Sequence, residues 1–252
     1  VVFVLAFALT LVGAVLVGIV GALFGASFDD PPAGVTIAAT VLQDAAFVGA
    51  ALLLALRAGP LRAAQFGLRR TPLWAALGWM ALAYVGYLVL SGLWSLAVDL
   101  SEQQDLPQEL GADQSTAALV AVCVLVTVLA PLAEEFFFRG YVFGALRNWH
   151  GPWLAAAITG VVFGAVHVAS APVGFLLPLA IFGFFLCIVR WRTGSLLPCM
   201  VLHALNNAVA FGVTQDWTAV ETLLLALGAS SVVLLACLPF LRVQGRAARA
   251  LI

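Results

Sequence analysis

Five ionisable side chains stand inside apolar stretches: Asp44, Glu134, Glu135, His167 and His203. Such a group at membrane depth costs about 2.5–3.5 kcal/mol for Asp on insertion scales, so these residues normally face a polar cavity or pair with one another, and function is their default explanation. Glu134 and Glu135 lie in Pro131-Leu-Ala-Glu-Glu-Phe-Phe-Phe-Arg139-Gly140. On a helix, Glu135 and Arg139 are i and i+4 and share a face, while Glu134 is turned about 100° away. Arg139 can then hold one carboxylate ionised while the other points elsewhere. Pro131 removes a backbone donor and loosens the turn before the pair. A plainer reading is a charge-neutralising cluster at the end of a span. His167 closes Phe163-Gly-Ala-Val-His167 and His203 opens His203-Ala-Leu-Asn-Asn207, with His203 and Asn207 on one helix face. A lone membrane histidine usually packs and hydrogen-bonds. Two histidines, an asparagine and a glutamate pair in one small chain point instead to proton transfer and charge stabilisation.

The elements that must position these groups follow from composition. The chain has 252 residues, 64% hydrophobic and only 9% charged, with 11 basic against 12 acidic residues and no lysine. A soluble domain carries about 45–50% apolar and about 25% charged residues. A water-soluble fold of this size could not hide so much apolar surface, which excludes a cytosolic enzyme, a nucleic-acid binder and a disordered chain. The expected fold is all-α, a polytopic bundle of about eight membrane spans in one domain over 1–252. A spanning helix needs about 20 mostly apolar residues, and such stretches fall near 1–24, 35–56, 73–98, 116–138, 153–169, 172–189, 195–213 and 219–240. The first lacks a basic leader and a small-residue cleavage site, and is expected to be a span rather than a signal peptide.

Charge segregates between the loops. Arg57, Arg62, Arg69 and Arg70 follow the second span. Arg139 and Arg147 lie at the end of the fourth, Arg190 and Arg192 follow the sixth, and Arg242, Arg246 and Arg249 follow the eighth. The opposite side carries Asp29, Asp30, Asp99, Glu102, Asp105, Glu109, Asp113, Asp216 and Glu221, with no basic residue. The positive-inside rule puts the arginine loops, and with them both termini, in the cytoplasm. The expected location is the plasma membrane of a bacterium. The acidic loop 99–115 is expected to be a short cap on the far side. Cys123, Cys187, Cys199 and Cys237 form no CxxC pair and are expected to be buried small hydrophobes.

Spans four and five should form an antiparallel pair about Asn148-Trp-His-Gly-Pro152. Glu134 lies 16 residues before His150 and His167 lies 17 after it, so a fourth helix continued to about Arg147 brings both to one depth. Gly160 and Gly164, and likewise Gly140 and Gly144, have the spacing of small residues that let helix backbones approach closely.

Glu134-Glu135-xxx-Arg139, Phe163-xxx-His167 and His203-xxx-Asn207, in this order and each in an expected span, resemble the CAAX prenyl protease and bacteriocin-processing (CPBP, or Abi) family. The likeness covers about residues 116–213, and Phe66-Gly-Leu-Arg-Arg70 resembles that family's cytoplasmic loop more loosely. It implies an intramembrane endopeptidase acting on a membrane-associated peptide, either prenylated or a leader, with its site open to the cytosol and the lipid bilayer as its surroundings. Carried over by motif, Glu134 would activate water with His167 beside it, and His203 and Asn207 would stabilise the oxyanion. Arg139 would support the pair Glu134–Glu135. If the enzyme is a zinc protease, Glu134, His167 and His203 are the available ligands. The preferred reading needs no metal, because a buried glutamate can itself act as the base and the familiar H-E-x-x-H helix is absent. Two other classes stand beside it. One is a proton-coupled transporter using the same residues as a relay, which would call for an internal repeat that the sequence lacks. The other is a non-catalytic immunity or scaffold protein that keeps the fold.

Overall fold

A computed structural model describes residues 1–27, 31–98 and 106–249, the last eight of them, 242–249, by their backbone alone. Asp29, Asp30, Asp99, Glu102 and Asp105 lie outside the described residues, so most of the acidic side of the loop pattern does too. The described chain is helical: α1 Val2–Leu23, α2 Ala33–Ala58, α3 Leu73–Ser95, the single turn α4 Leu106–Glu109, α5 Thr116–Val124, α6 Ala130–Glu135, α7 Phe143–Ala165, α8 Val173–Thr193, α9 Leu197–Thr214 and α10 Ala219–Arg249. No strand occurs among the described residues. Two π-helical stretches, Leu125–Leu129 and Phe136–Val142, join α5, α6 and α7 into one continuous element.

Among the described residues, seven segments are long and apolar enough to cross a membrane. Outward-facing side chains such as Val4, Leu11, Leu82, Val161 and Leu235 are apolar and exposed, as a lipid-facing surface requires. The protein is an integral membrane protein with an all-α polytopic fold.

The difference between seven segments and eight expected spans lies in Thr116–Ala165, which is 50 residues long. It is broken at Gly151, whose φ of 74° and ψ of 172° are not helical. A side chain would be strained at that φ, and Pro152 next to it starts a new helix without needing an N–H. The ring centroids of Phe138 and Phe163 are 5.1 Å apart. In an unbroken helix, 25 residues would separate them by about 37 Å, so the chain folds back at Gly151 into an antiparallel hairpin. The expected turn at 148–152 thus tightens to a break at one residue, with helix running up to it.

Several other boundaries follow from local chemistry. Ser115 caps α5 by accepting from the N–H of Ala118. Pro172 precedes α8, and Gly194 ends it in the left-handed conformation with Arg190 and Arg192 in its last turn. Residues at Gly160 and Gly164 pack against α8 so closely that a Cβ would lie 2.6 Å from the Ala180 carbonyl oxygen and 2.5 Å from that of Leu176. The expected close approach is therefore real on this helix. Gly140 has only ordinary clearance and Gly144 faces open space. The four cysteines are free, three buried and Cys123 half-buried.

Candidate active site

The site is built on α6, the π turn that follows it, α7 and α9. Glu135 lies at the end of α6 and Arg139 in the π turn, and their predicted pairing forms: Arg139 Nη1 donates to Glu135 Oε1 at 2.6 Å, both side chains fully buried. Arg139 Nη2 donates to the Gly183 carbonyl on α8 at 3.1 Å. Its guanidinium also lies 4.3 Å from the centroid of the Phe163 ring. The arginine thus ties three helices to one carboxylate.

His203, on α9, completes this arrangement. Its Nδ1 is 2.8 Å from the same Glu135 Oε1. With the carboxylate ionised against Arg139, Nδ1 is the donor, which fixes the orientation of the ring. The opposite nitrogen, Nε2, faces Glu134 Oε2 at 4.0 Å. The 100° between consecutive helical residues is what allows the two carboxylates to address the two edges of one imidazole. Phe163 and Phe182 pack edge-on to the His203 ring at 5.9 and 5.6 Å, so the pair is enclosed in apolar surface. Glu134 keeps 15% of its side chain exposed against none for Glu135. Glu134 is therefore the less enclosed of the two carboxylates, and its Oε2, itself buried, has no hydrogen-bond partner.

The sequence motifs place His167 beside Glu134, whereas the ring that faces Glu134 belongs to His203. His167 lies just past the end of α7. Its Nδ1 is 2.7 Å from the Phe163 carbonyl, which can only accept, so Nδ1 carries the proton. Its ring lies 4.9 Å from that of Phe163, and Phe163 thereby links the two histidines. Phe138 meets Phe163 across the hairpin, and Glu134 and His167 each lie four residues farther from Gly151.

Asn207 is anchored through one of its amide hydrogens. Its Nδ2 donates to the Val126 carbonyl at 3.0 Å. Val126 lies in the π stretch, and Pro131 has no N–H to offer the carbonyls of Val126 or Thr127 one turn back. The asparagine amide satisfies an acceptor that the proline leaves open, and locks α9 to the turn before the glutamates.

Asp44 belongs to the same neighbourhood. It is buried on α2, which packs against α6, the helix that carries Glu134. Its Oδ2 has no hydrogen-bond partner. The sequence marks it as a carboxylate at membrane depth, but nothing local ties a residue on the second helix to the fourth.

The donor set decides how far zinc fits. A zinc site needs three protein ligands converging on one point. Glu134 and His203 supply two facing atoms, but no three His, Cys, Asp or Glu side chains among the described residues are arranged to hold a metal ion. Glu134, His167 and His203 do not converge as placed, so no step below runs through a metal.

Comparison with known proteins agrees with these motifs. Residues 116–209 match the family model described as type II CAAX prenyl endopeptidase Rce1-like. An uncharacterized 24.3 kDa protein of Escherichia coli is 31% identical over 129 residues, which is 50% of this chain and 57% of that protein. The UPF0177 protein YxdF of Lactococcus lactis subsp. lactis (strain IL1403) is 30% identical over 80 residues, 32% of this chain and 42% of the relative. The chain thus spans about half the length of the curated relatives it matches. No solved structure matches it. The stretch that holds Glu134, Glu135, Arg139, His167, His203 and Asn207 is the one that matches the Rce1-like model of the CAAX prenyl endopeptidase (CPBP) family.

Proposed function

We propose that the protein is an intramembrane endopeptidase that hydrolyses a peptide bond of a membrane-associated peptide, with Glu134 as the base. The observation that carries this reading is the facing of Glu134 Oε2 and His203 Nε2 across 4.0 Å. A single water oxygen can hydrogen-bond to both atoms across such a gap. Glu134 takes one proton from that water, and the oxygen forms a bond to the peptide carbonyl carbon. Collapse of the tetrahedral intermediate breaks the C–N bond, and the proton on Glu134 passes to the leaving nitrogen. Glu135 and Arg139 are positioning residues, since Glu135 holds His203 and Arg139 holds Glu135 and the Gly183 carbonyl. The developing oxyanion is received by the remaining amide hydrogen of Asn207, while the unprotonated Nε2 of His203 accepts from the attacking water.

The substrate class is a prenylated or leader-type peptide presented at the membrane. We place the arginine-bearing side in the cytosol of a bacterial cell, so that water reaches Glu134 from there. The test is cleavage of prenylated and leader peptides by the purified protein in lipid, beside its Glu134→Gln variant. Cleavage by the wild type alone supports the reading. Equal cleavage by both, or none by either across both peptide classes, overturns it.

A further inference from the structure

One buried arginine outside the active site has no counter-ion among the described residues. Arg190, in the last turn of α8, is only 5% exposed. Its Nε and Nη1 are buried without a hydrogen-bond partner. All ion pairs among the described residues belong to the cluster of Glu134, Glu135, Arg139 and His203. An arginine cannot discharge itself by losing its proton, and an isolated buried cation is costly. The dipole at the end of α8 offsets part of this cost but supplies no partner for the two orphan nitrogens.

The surroundings add positive charge. Arg69 is held at the end of α8 by the Gly194 carbonyl, Arg147 lies on α7, which packs along α8, and no carboxylate among the described residues pairs with Arg190. The loop of Phe66-Gly-Leu-Arg-Arg70 is fastened to the end of α8 to make this happen. Leu196 N–H donates to the Gly67 carbonyl at 2.7 Å, Ser195 Oγ to the Arg69 carbonyl at 2.6 Å, and Arg69 Nε to the Gly194 carbonyl at 2.5 Å. Gly67, at φ +86°, lies so close to the Arg190 guanidinium that any Cβ there would collide with it. The three arginines grade from exposed Arg69 through half-buried Arg147 to buried Arg190, as an entry path for an anion would.

We propose that Arg190, Arg147 and Arg69 form a binding site for a phosphate oxyanion, carried by an anionic phospholipid headgroup or free in solution. Three guanidinium forks match a group with several acceptor oxygens better than a two-oxygen carboxylate. The site sits at the end of a helix long and apolar enough to cross a membrane, and basic pockets between such helices suit lipid headgroups.

The test needs no substrate and so stands apart from the peptidase reading. The full chain is purified in a phosphate-free sugar detergent. Phosphatidylglycerol binding is followed by native mass spectrometry, and melting is followed with inorganic phosphate or with acetate. Arg69→Gln and Arg147→Gln serve as variants, Arg147 because it makes no side-chain hydrogen bond that folding would miss. Retention of the lipid by the wild type, weakened about tenfold in each variant, supports the site with the headgroup as its source. Stabilisation by inorganic phosphate alone, lost in both variants, supports it with free phosphate as the source. Equal stabilisation by acetate overturns the phosphate class. Binding of neither probe, or equal binding by wild type and variants, overturns the site.

Discussion

His203 donates from Nδ1 to Glu135 at 2.8 Å while its Nε2 faces Glu134 at 4.0 Å, so one imidazole stands between two carboxylates adjacent in sequence. The geometry divides their labour. Glu135 is spent on Arg139 and on orienting the ring, and Glu134 is left for the reactant. Glu134→Gln should therefore lower cleavage about a hundredfold or more, the usual worth of a general base. Its melting temperature should stay near wild type, since the Oε2 it alters has no partner. His167→Ala should also abolish turnover. Steady-state cleavage and melting curves on the same preparations check both, and wild-type turnover by both variants would contradict the site.

Arg139→Ala should destabilise the protein by about 3–5 kcal/mol, the cost of leaving a buried charge without its partner. Arg57→Ala, an exposed arginine at the end of α2, should change stability by no more than about 0.5 kcal/mol. Equal loss of stability in the two variants would show that the Glu135–Arg139 pair is not what holds this region together.

The glycines of α7 separate cleanly. Gly160→Ala and Gly164→Ala force a Cβ into the backbone of α8 and should each cost about 1–3 kcal/mol. Gly144→Ala meets open space and should be neutral or stabilising by up to about 1 kcal/mol. Thermal unfolding of the three variants in one detergent distinguishes them.

Chelation should leave cleavage unchanged, because Glu134 and His203 face each other without a third donor brought to the same point. Dialysis against a strong chelator followed by a cleavage assay is the check. Activity that vanishes and returns on adding zinc would require His167 to swing into the site.

Orientation can be measured directly. With the four native cysteines replaced by alanine, a single Arg57→Cys should react with a membrane-impermeant thiol reagent only from the cytosolic side of oriented membranes. Labelling from the opposite side alone would invert the arginine-rich face and the route of water to Glu134.

The sequence by itself determined what depends on near neighbours along the chain. Apolar runs longer than a bilayer is thick must be membrane helices, and they are. Glu135 and Arg139 pair because i and i+4 share a face on any such helix. The antiparallel hairpin could be placed at 148–152 from the apolar runs on either side of it, and it brings Phe138 onto Phe163. The tertiary structure decided what depends on how each helix is turned about its own axis and which helix lies beside which. Periodicity fixes the relative directions of Glu134 and Glu135 but not their targets, so only the packing of α9 against α6 showed His203 between them. The same holds for Asp44, whose helix α2 packs against the α6 that carries Glu134, and for Asn207, whose amide found the carbonyl that Pro131 leaves open. Arg190 is the plainest case: its place in the sequence suits a loop-side cation, and only the docking of the 67–69 backbone over it made it a buried charge without a partner.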